Sequence, residues 1–212
     1  MNINTTLAKK LIEIKAIKLS PSDPFTWASG MRSPIYCDNR ITLSYPDIRD
    51  MIKTAFAEHV EQLGPIDLIA GVATAGIPHG ALLADYLKLP FIYVRSKAKE
   101  HGRQNQIEGR YNVGAKTLVV EDLISTGGSS LAAVEVLREA DLNVKEVVSI
   151  FDYEFQTAKN NFSNHQCPYH SLSGYSSLLQ EAERIAYISD KEKAILENWN
   201  SDPKSWYSKN FS

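Results

Sequence analysis

A chain of 212 residues, 43% hydrophobic and 23% charged, has room for one sizeable core and the composition of a soluble globular protein. Its formal net charge of −2 argues against a general nucleic-acid binder, although a local basic patch is compatible with it. Cys37 and Cys167 form neither a disulfide framework nor a metal spacing, and Lys and Glu interrupt the apolar residues of the amino-terminal stretch, so no signal peptide or membrane span is expected and a cytoplasmic protein is.

Leu7, Leu11, Ile12 and Ile14 recur at helical spacing and predict an amphipathic helix over residues 4–16. Residues 20–46 are rich in Ser, Pro, Asp and aromatics and read as turns with short strands. A second helix is expected over 48–62, ended by Gly64 and Pro65. Then an alternation begins, with strands over 66–73, 91–95, 117–122 and 144–153 and helices over 77–88 and 129–140. Apolar strands separated by helices imply an α/β fold, with a mainly parallel central sheet flanked by helices on both faces. The part from 170 to 212 is expected to be helical, closing with Trp199, Trp206, Tyr207 and Phe211. No repeat or linker divides the chain, so residues 1–212 read as a single domain.

Residues 95–110, RSKAKEHGRQNQIEGR, break the alternation with five Lys or Arg residues and almost no apolar side chain. Such a polar connection is either a functional loop or a solvated hairpin, and composition alone leaves both open.

In an open α/β sheet ligands gather at the carboxyl ends of the strands. Two strand-to-helix turns arrive there, GVATAGIPHG (71–80) and EDLISTGG (121–128), and the basic loop is expected beside them. Their Gly, Ser and Thr residues allow backbone N–H groups, hydroxyls and a helix start to meet an anion. With the basic loop they suggest a ligand bearing more than one phosphate. No G-x-x-x-x-G-K-[ST] occurs, and no G-x-G-x-x-G follows a strand, which disfavours ATP hydrolysis and dinucleotide redox chemistry. The adjacent acids Glu121 and Asp122 suit sugar hydroxyls or a divalent cation better than phosphate, so a phosphorylated sugar answers both demands.

The segment VVEDLISTGGSS closely resembles the phosphoribosyl-pyrophosphate signature of the type I phosphoribosyltransferases, with Thr117 polar where the signature begins apolar. FTWASGMRSPIYCDNR (25–40) resembles the amino-terminal hood element of the orotate phosphoribosyltransferases, and RSKAKEHG (95–102) their catalytic loop. The resemblance implies a type I phosphoribosyltransferase-like fold, with a small hood formed largely by residues 1–46 on a core of about 47–212. It also implies transfer of ribose 5-phosphate from phosphoribosyl pyrophosphate to orotate, giving orotidine 5′-monophosphate and pyrophosphate in pyrimidine biosynthesis. Glu121 and Asp122 would then hold the ribose hydroxyls, and Ser125, Thr126, Gly127, Gly128 and Ser129 the 5′-phosphate, with Leu123 and Ile124 in the same binding segment. Arg95, Lys99 and His101 would neutralise departing pyrophosphate, Lys99 foremost, alongside Thr74 and Ala75 of a loop expected to carry a cis peptide between Ala73 and Thr74. Mg²⁺ is expected to ride on the substrate with few or no protein ligands, and a two-fold homodimer is implied in which each loop completes the neighbour's site.

This chain departs from the family at the orotate carboxylate, where Tyr153 stands in a stretch that holds an Arg in some members. Ser125, Arg32, Tyr36 and Tyr153 are the candidate orotate contacts, with core or interface packing the competing reading for both tyrosines. His79 is expected to be a packed or capping residue. The rivals are a purine-type phosphoribosyltransferase, which would not share the hood element, and a non-catalytic phosphoribosyl-pyrophosphate-binding regulator, which would lack Lys99 and His101.

Overall fold

The computed structural model describes residues 2–27, 30–96 and 106–211. In chain order these form α1 (Ile3–Glu13), β1 (Ile17–Leu19), β2 (Phe25–Thr26), β3 (Arg32–Ser33), β4 (Ile35–Cys37), a 3-10 helix (Asn39–Ser44) and α2 (Pro46–Leu63). Then come β5 (Leu68–Val72), α3 (Gly76–Leu87), β6 (Phe91–Val94), β7 (Ile107–Glu108), β8 (Lys116–Ile124), α4 (Gly128–Glu139) and β9 (Asn143–Asp152). The chain ends with α5 (Gln156–Asn164), β10 (Tyr169–Gly174), α6 (Tyr175–Arg184), α7 (Asp190–Ser201) and α8 (Trp206–Asn210).

Local chemistry explains the element ends. The Asn2 side chain accepts from the Asn4 N–H to open α1. Pro46 opens α2, and Gly64, at φ +86°, closes it. Ser189 and Glu192 form a reciprocal capping box at α7.

Six strands form the central sheet in the order β10-β9-β8-β5-β6-β7, parallel except where β7 runs against β6. β5 lies between β8 and β6, so the chain leaves it in two directions and a crevice opens at the carboxyl ends of β5 and β8. Every residue of β5 is buried, as expected for a strand covered on both sides. Alternate residues sort to the two faces. Leu68, Ala70, Val72 and Val119 pack with Leu131 and Val134 of α4 and Phe162 of α5. Ile69, Leu118 and Val120 pack with Ile52 and Phe56 of α2 and Leu83 of α3.

The amino-terminal part has two small antiparallel pairs, β1 with β4 and β2 with β3. α1 instead packs on α6 and β10, where Ser173 Oγ donates to the Asn4 carbonyl at 3.0 Å.

The carboxy-terminal expectation needs correction. β10 is an edge strand paired in parallel with β9, because the polar run YHSLSG needs burial only at its end, with the pattern intermediate-intermediate-intermediate-buried-buried-buried. α5 also stands where no helix was expected, anchored by Ala158 and Phe162 at i, i+4.

Candidate active site

β8 carries Glu121 and Asp122 past the end of its pairing with β5, whose last partner is Val120. Adjacent residues of a strand start toward opposite faces, yet Glu121 folds back so that the two carboxyls stay within hydrogen-bonding reach of each other. Glu121 lies on the α4 side and is only 5% exposed. Its carboxylate accepts from Ser129 Oγ at 3.2 Å, Ser130 Oγ at 3.3 Å and the Asp122 N–H at 3.1 Å. Asp122 lies on the hood side, near Asp38 and Arg40. Burial, and after it the neighbouring Asp122, raises the Glu121 carboxyl above its ordinary range; burial raises Asp122 as well.

The loop after β8 turns on Gly127, at φ +79°. A side chain there would also come 2.7 Å from the Phe162 ring, so backbone conformation and packing both require glycine. Asn161 Nδ2 of α5 donates to the Thr126 carbonyl at 2.9 Å and braces the loop from outside. Thr126, Gly128 and Ser129 are exposed, Ser125 is half-buried, and no side chain caps α4. The first N–H groups of a helix lack intrahelical acceptors, so this start offers donors to an anion. Ile124 is fully buried and Leu123 packs partly into the core, which leaves their backbone as the part able to meet a ligand.

α3 begins beside these acids, and its start is also uncapped by side chains. It approaches β8 so closely that a Cβ on Gly76 would overlap the Val120 carbonyl. The Ala73–Thr74 peptide is cis, as the family resemblance implies, and Thr74 is exposed with Ala75 half-buried. A cavity of about 120 Å³ lies among Val72, Ala73, Arg95, Gln106 and Ser129. Arg95 pairs with Glu108 at 3.5 Å. Its backbone N–H donates to the Gln106 carbonyl at 2.8 Å, and Gln106 Nε2 returns a bond to the Arg95 carbonyl at 3.0 Å. The two stems of the basic segment are therefore tied together at the mouth of the cavity. Lys99 and His101 lie outside the described residues.

On the hood side, Tyr36 is 38% exposed beside Phe25. Arg32 donates to Thr26 Oγ1 at 3.2 Å, and its guanidinium sits 4.8 Å from the Tyr207 ring. Tyr153 is only 2% exposed. It stacks on Phe155 and meets Trp27, Phe151, Tyr175 and Trp199, the arrangement that the packing alternative expects. His79 is buried in α3, and burial followed by Arg49 pushes its imidazole down to about 4, so it is neutral at pH 7.

Ser130, Asn39 and Gln106 were not among the expected site residues, yet each bonds directly to one of them. The doubled serine after GG was a usable signal for Ser130. Nothing local marks Asn39, whose partner Asp122 is 83 residues away.

The comparisons with known proteins agree with this geometry. The family profile described as "Phosphoribosyl transferase domain" matches residues 43–167. The orotate phosphoribosyltransferase of Lactococcus lactis subsp. cremoris is 50% identical over 97% of this chain and 99% of its own. That of Bacteroides thetaiotaomicron is 50% identical over 97% of both chains. Among solved structures, the orotate phosphoribosyltransferase of Aeropyrum pernix is similar with a TM-score of 0.75 and 28% identity, over 86% of this chain and 99% of that one. With a matching profile, near-full-length relatives at half identity and the strand-to-helix site in place, this chain belongs to the orotate phosphoribosyltransferase family.

Proposed function

We propose that this enzyme transfers the ribose 5-phosphate group of phosphoribosyl pyrophosphate to orotate, with Asp122, Glu121 and the loop Ser125–Ser129 forming one grip on the ribose 5-phosphate. The bond from ribose C1 to the pyrophosphate oxygen breaks, pyrophosphate leaves with the electron pair, and a ring nitrogen of orotate bonds to C1 while its proton passes to the departing pyrophosphate or to solvent. The observation that carries this reading is the pair of uncapped helix starts, α3 and α4, flanking the acids at the end of β8. The loop and the α4 start supply donors to the 5′-phosphate. Glu121 and Asp122 accept from sugar hydroxyls, and the charge carried by the ionised member of the pair favours the positive character that develops at C1. Ser129 and Ser130 occupy Glu121 in the free site, and a sugar hydroxyl takes over part of that role.

Arg95, Lys99 and His101 act on the departing pyrophosphate, with Thr74 and Ala75 presenting backbone to it. The reaction requires that water be kept from a cation that water would otherwise consume. Ser125, Tyr36 and Arg32 are the proposed orotate contacts, with Tyr153 supporting them from the aromatic layer beneath.

A magnesium ion supplies neutralisation of the phosphate charge when bound. Glu121 and Asp122, whose carboxyls lie within reach of each other, are the hard oxygen donors of the site that could join the substrate's own oxygens in holding such an ion. We also assign the enzyme to the cytoplasm, and to a homodimer with shared sites. No helix among the described residues is long and apolar enough to cross a membrane, and Cys37 and Cys167 are unpaired.

The test is turnover with phosphoribosyl pyrophosphate and orotate, adenine, hypoxanthine or uracil. Orotate is expected to be the base consumed; turnover of a purine without turnover of orotate overturns the assignment.

A further inference from the structure

Asn39, at the start of the 3-10 helix, has no solvent exposure. Its Nδ2 donates to the Asp122 carbonyl at 2.7 Å, and its Oδ1 accepts from Cys37 Sγ at 3.4 Å. Its own carbonyl accepts from Thr42 Oγ1 at 2.6 Å, and the same hydroxyl lies 3.4 Å from His79 Nε2 in α3. The amide is thus held on both sides and cannot swing away without breaking other bonds. Its partner is a backbone carbonyl at a place where β8 has lost one neighbour. Pairing with β5 ends at Val120, while pairing with β9 continues through Ile124. A part-buried carbonyl that loses one side of its ladder needs another donor, and the amino-terminal part supplies one side chain for it.

We propose that Asn39 is a positioning residue for the transfer reaction, locking the backbone of Asp122 to the hood and so setting where the Asp122 carboxylate meets the ribose. Asn suits the role because it offers a donor to Asp122 and an acceptor to Cys37 at once. Asp in its place would set an acceptor against the carbonyl, and Ala would leave that carbonyl unpaired. The inference rests on the reading of Asp122 as a ribose partner.

The experiment compares Asn39→Ala, Asn39→Asp and Asp122→Asn in the full chain. It measures kcat and KM for phosphoribosyl pyrophosphate, pyrophosphate affinity by calorimetry, and the melting temperature. Misplacement of a reacting group by about 1 Å costs on the order of 100-fold, so both Asn39 variants are expected to lose about 10- to 100-fold in kcat. Pyrophosphate carries no ribose hydroxyl, and its affinity should stay within about threefold of the parent's. As pH falls from about 8 to about 5.5, Asn39→Asp should regain activity relative to the parent chain, because a protonated carboxyl recovers the donor. The role is overturned by kcat within about twofold of the parent, or by a kcat loss matched by an equal loss of pyrophosphate affinity, the mark of general disruption. If Asn39→Ala does not fold, the pH ratio of the isosteric Asn39→Asp decides, and a flat ratio overturns the role. Near-parental turnover of Asp122→Asn removes the reading of Asp122 itself. Loss there with intact Asn39 variants removes only the part assigned to Asn39.

Discussion

At the scale of single residues, the site is built on carboxyls that the fold makes easier to protonate. Asp152, aligned with Ile124 where the proposed phosphate loop begins, is 5% exposed, and burial pushes its carboxyl up to about 6. The Glu154 N–H, donating at 2.7 Å, offsets part of that rise. The folded chain therefore binds a proton more tightly than the unfolded chain between the ordinary value of 3.8 and about 6. Its contribution to stability is full below pH 3.8 and is lost as pH climbs through 6. A displacement of that size corresponds to at most about 3 kcal/mol. Asp152→Asn keeps the acceptor for Glu154 and removes the titration. It is expected to raise the melting temperature at pH 8 relative to the parent while leaving it nearly unchanged at pH 4, as calorimetry at the two pH values would show; an equal change at both excludes this origin. The same logic extends to the serines that hold Glu121. Ser130→Ala leaves a buried carboxylate with one fewer donor, so stability should fall by about 1–2 kcal/mol in chemical denaturation at pH 8. The loss should shrink at pH 5, where a protonated Glu121 needs fewer donors.

At the scale of elements, the distance between α3 and β8 decides the shape of the crevice. Gly76→Ala places a methyl group on the Val120 carbonyl, so the helix start or the strand must move. Overpacking of this kind costs about 1–3 kcal/mol. Activity should fall further than stability, because the displaced atoms adjoin Glu121; melting temperature and kcat/KM measured together test this, and parental kcat/KM in a destabilised protein would count against it. The central strands were legible because parallel strands buried on both faces read as unbroken apolar runs, as in LIAGV. β10 was not, because an edge strand tolerates the polar residues of YHSLSG. The loops GVATAGIPHG and EDLISTGG were legible from small residues before helix starts. Adjacency in sequence made Glu121 and Asp122 legible as a pair, and their carboxyls do interact although strand periodicity starts them toward opposite faces. What stayed hidden was the bond between Asn39 and Asp122, since no local pattern encodes a contact across 83 residues.

At the scale of the whole molecule, one protomer presents the proposed ribose grip, while the proposed catalytic residues Lys99 and His101 belong to the segment between Ser96 and Gln106, whose stems are tied beside the cavity. If each segment serves the neighbour's site in a two-fold dimer, the two halves of the machinery are genetically separable. Lys99→Ala should reduce turnover by orders of magnitude, on the order of 100-fold or more, because it removes charge stabilisation of the leaving group. Asp122→Asn should do the same from the ribose side. Random mixing of the two inactive chains yields about half hybrid dimers. In a hybrid, one site receives both defects, and the other pairs an intact Asp122 with the neighbour's intact Lys99. Half the dimers with half their sites restored gives about a quarter of parental activity. Were the segment to serve its own protomer, every site would keep one defect and mixing would restore nothing. Turnover after subunit exchange, with exchange verified by a mass label, therefore separates the two arrangements: recovery near a quarter supports shared sites, and none after complete exchange rejects them.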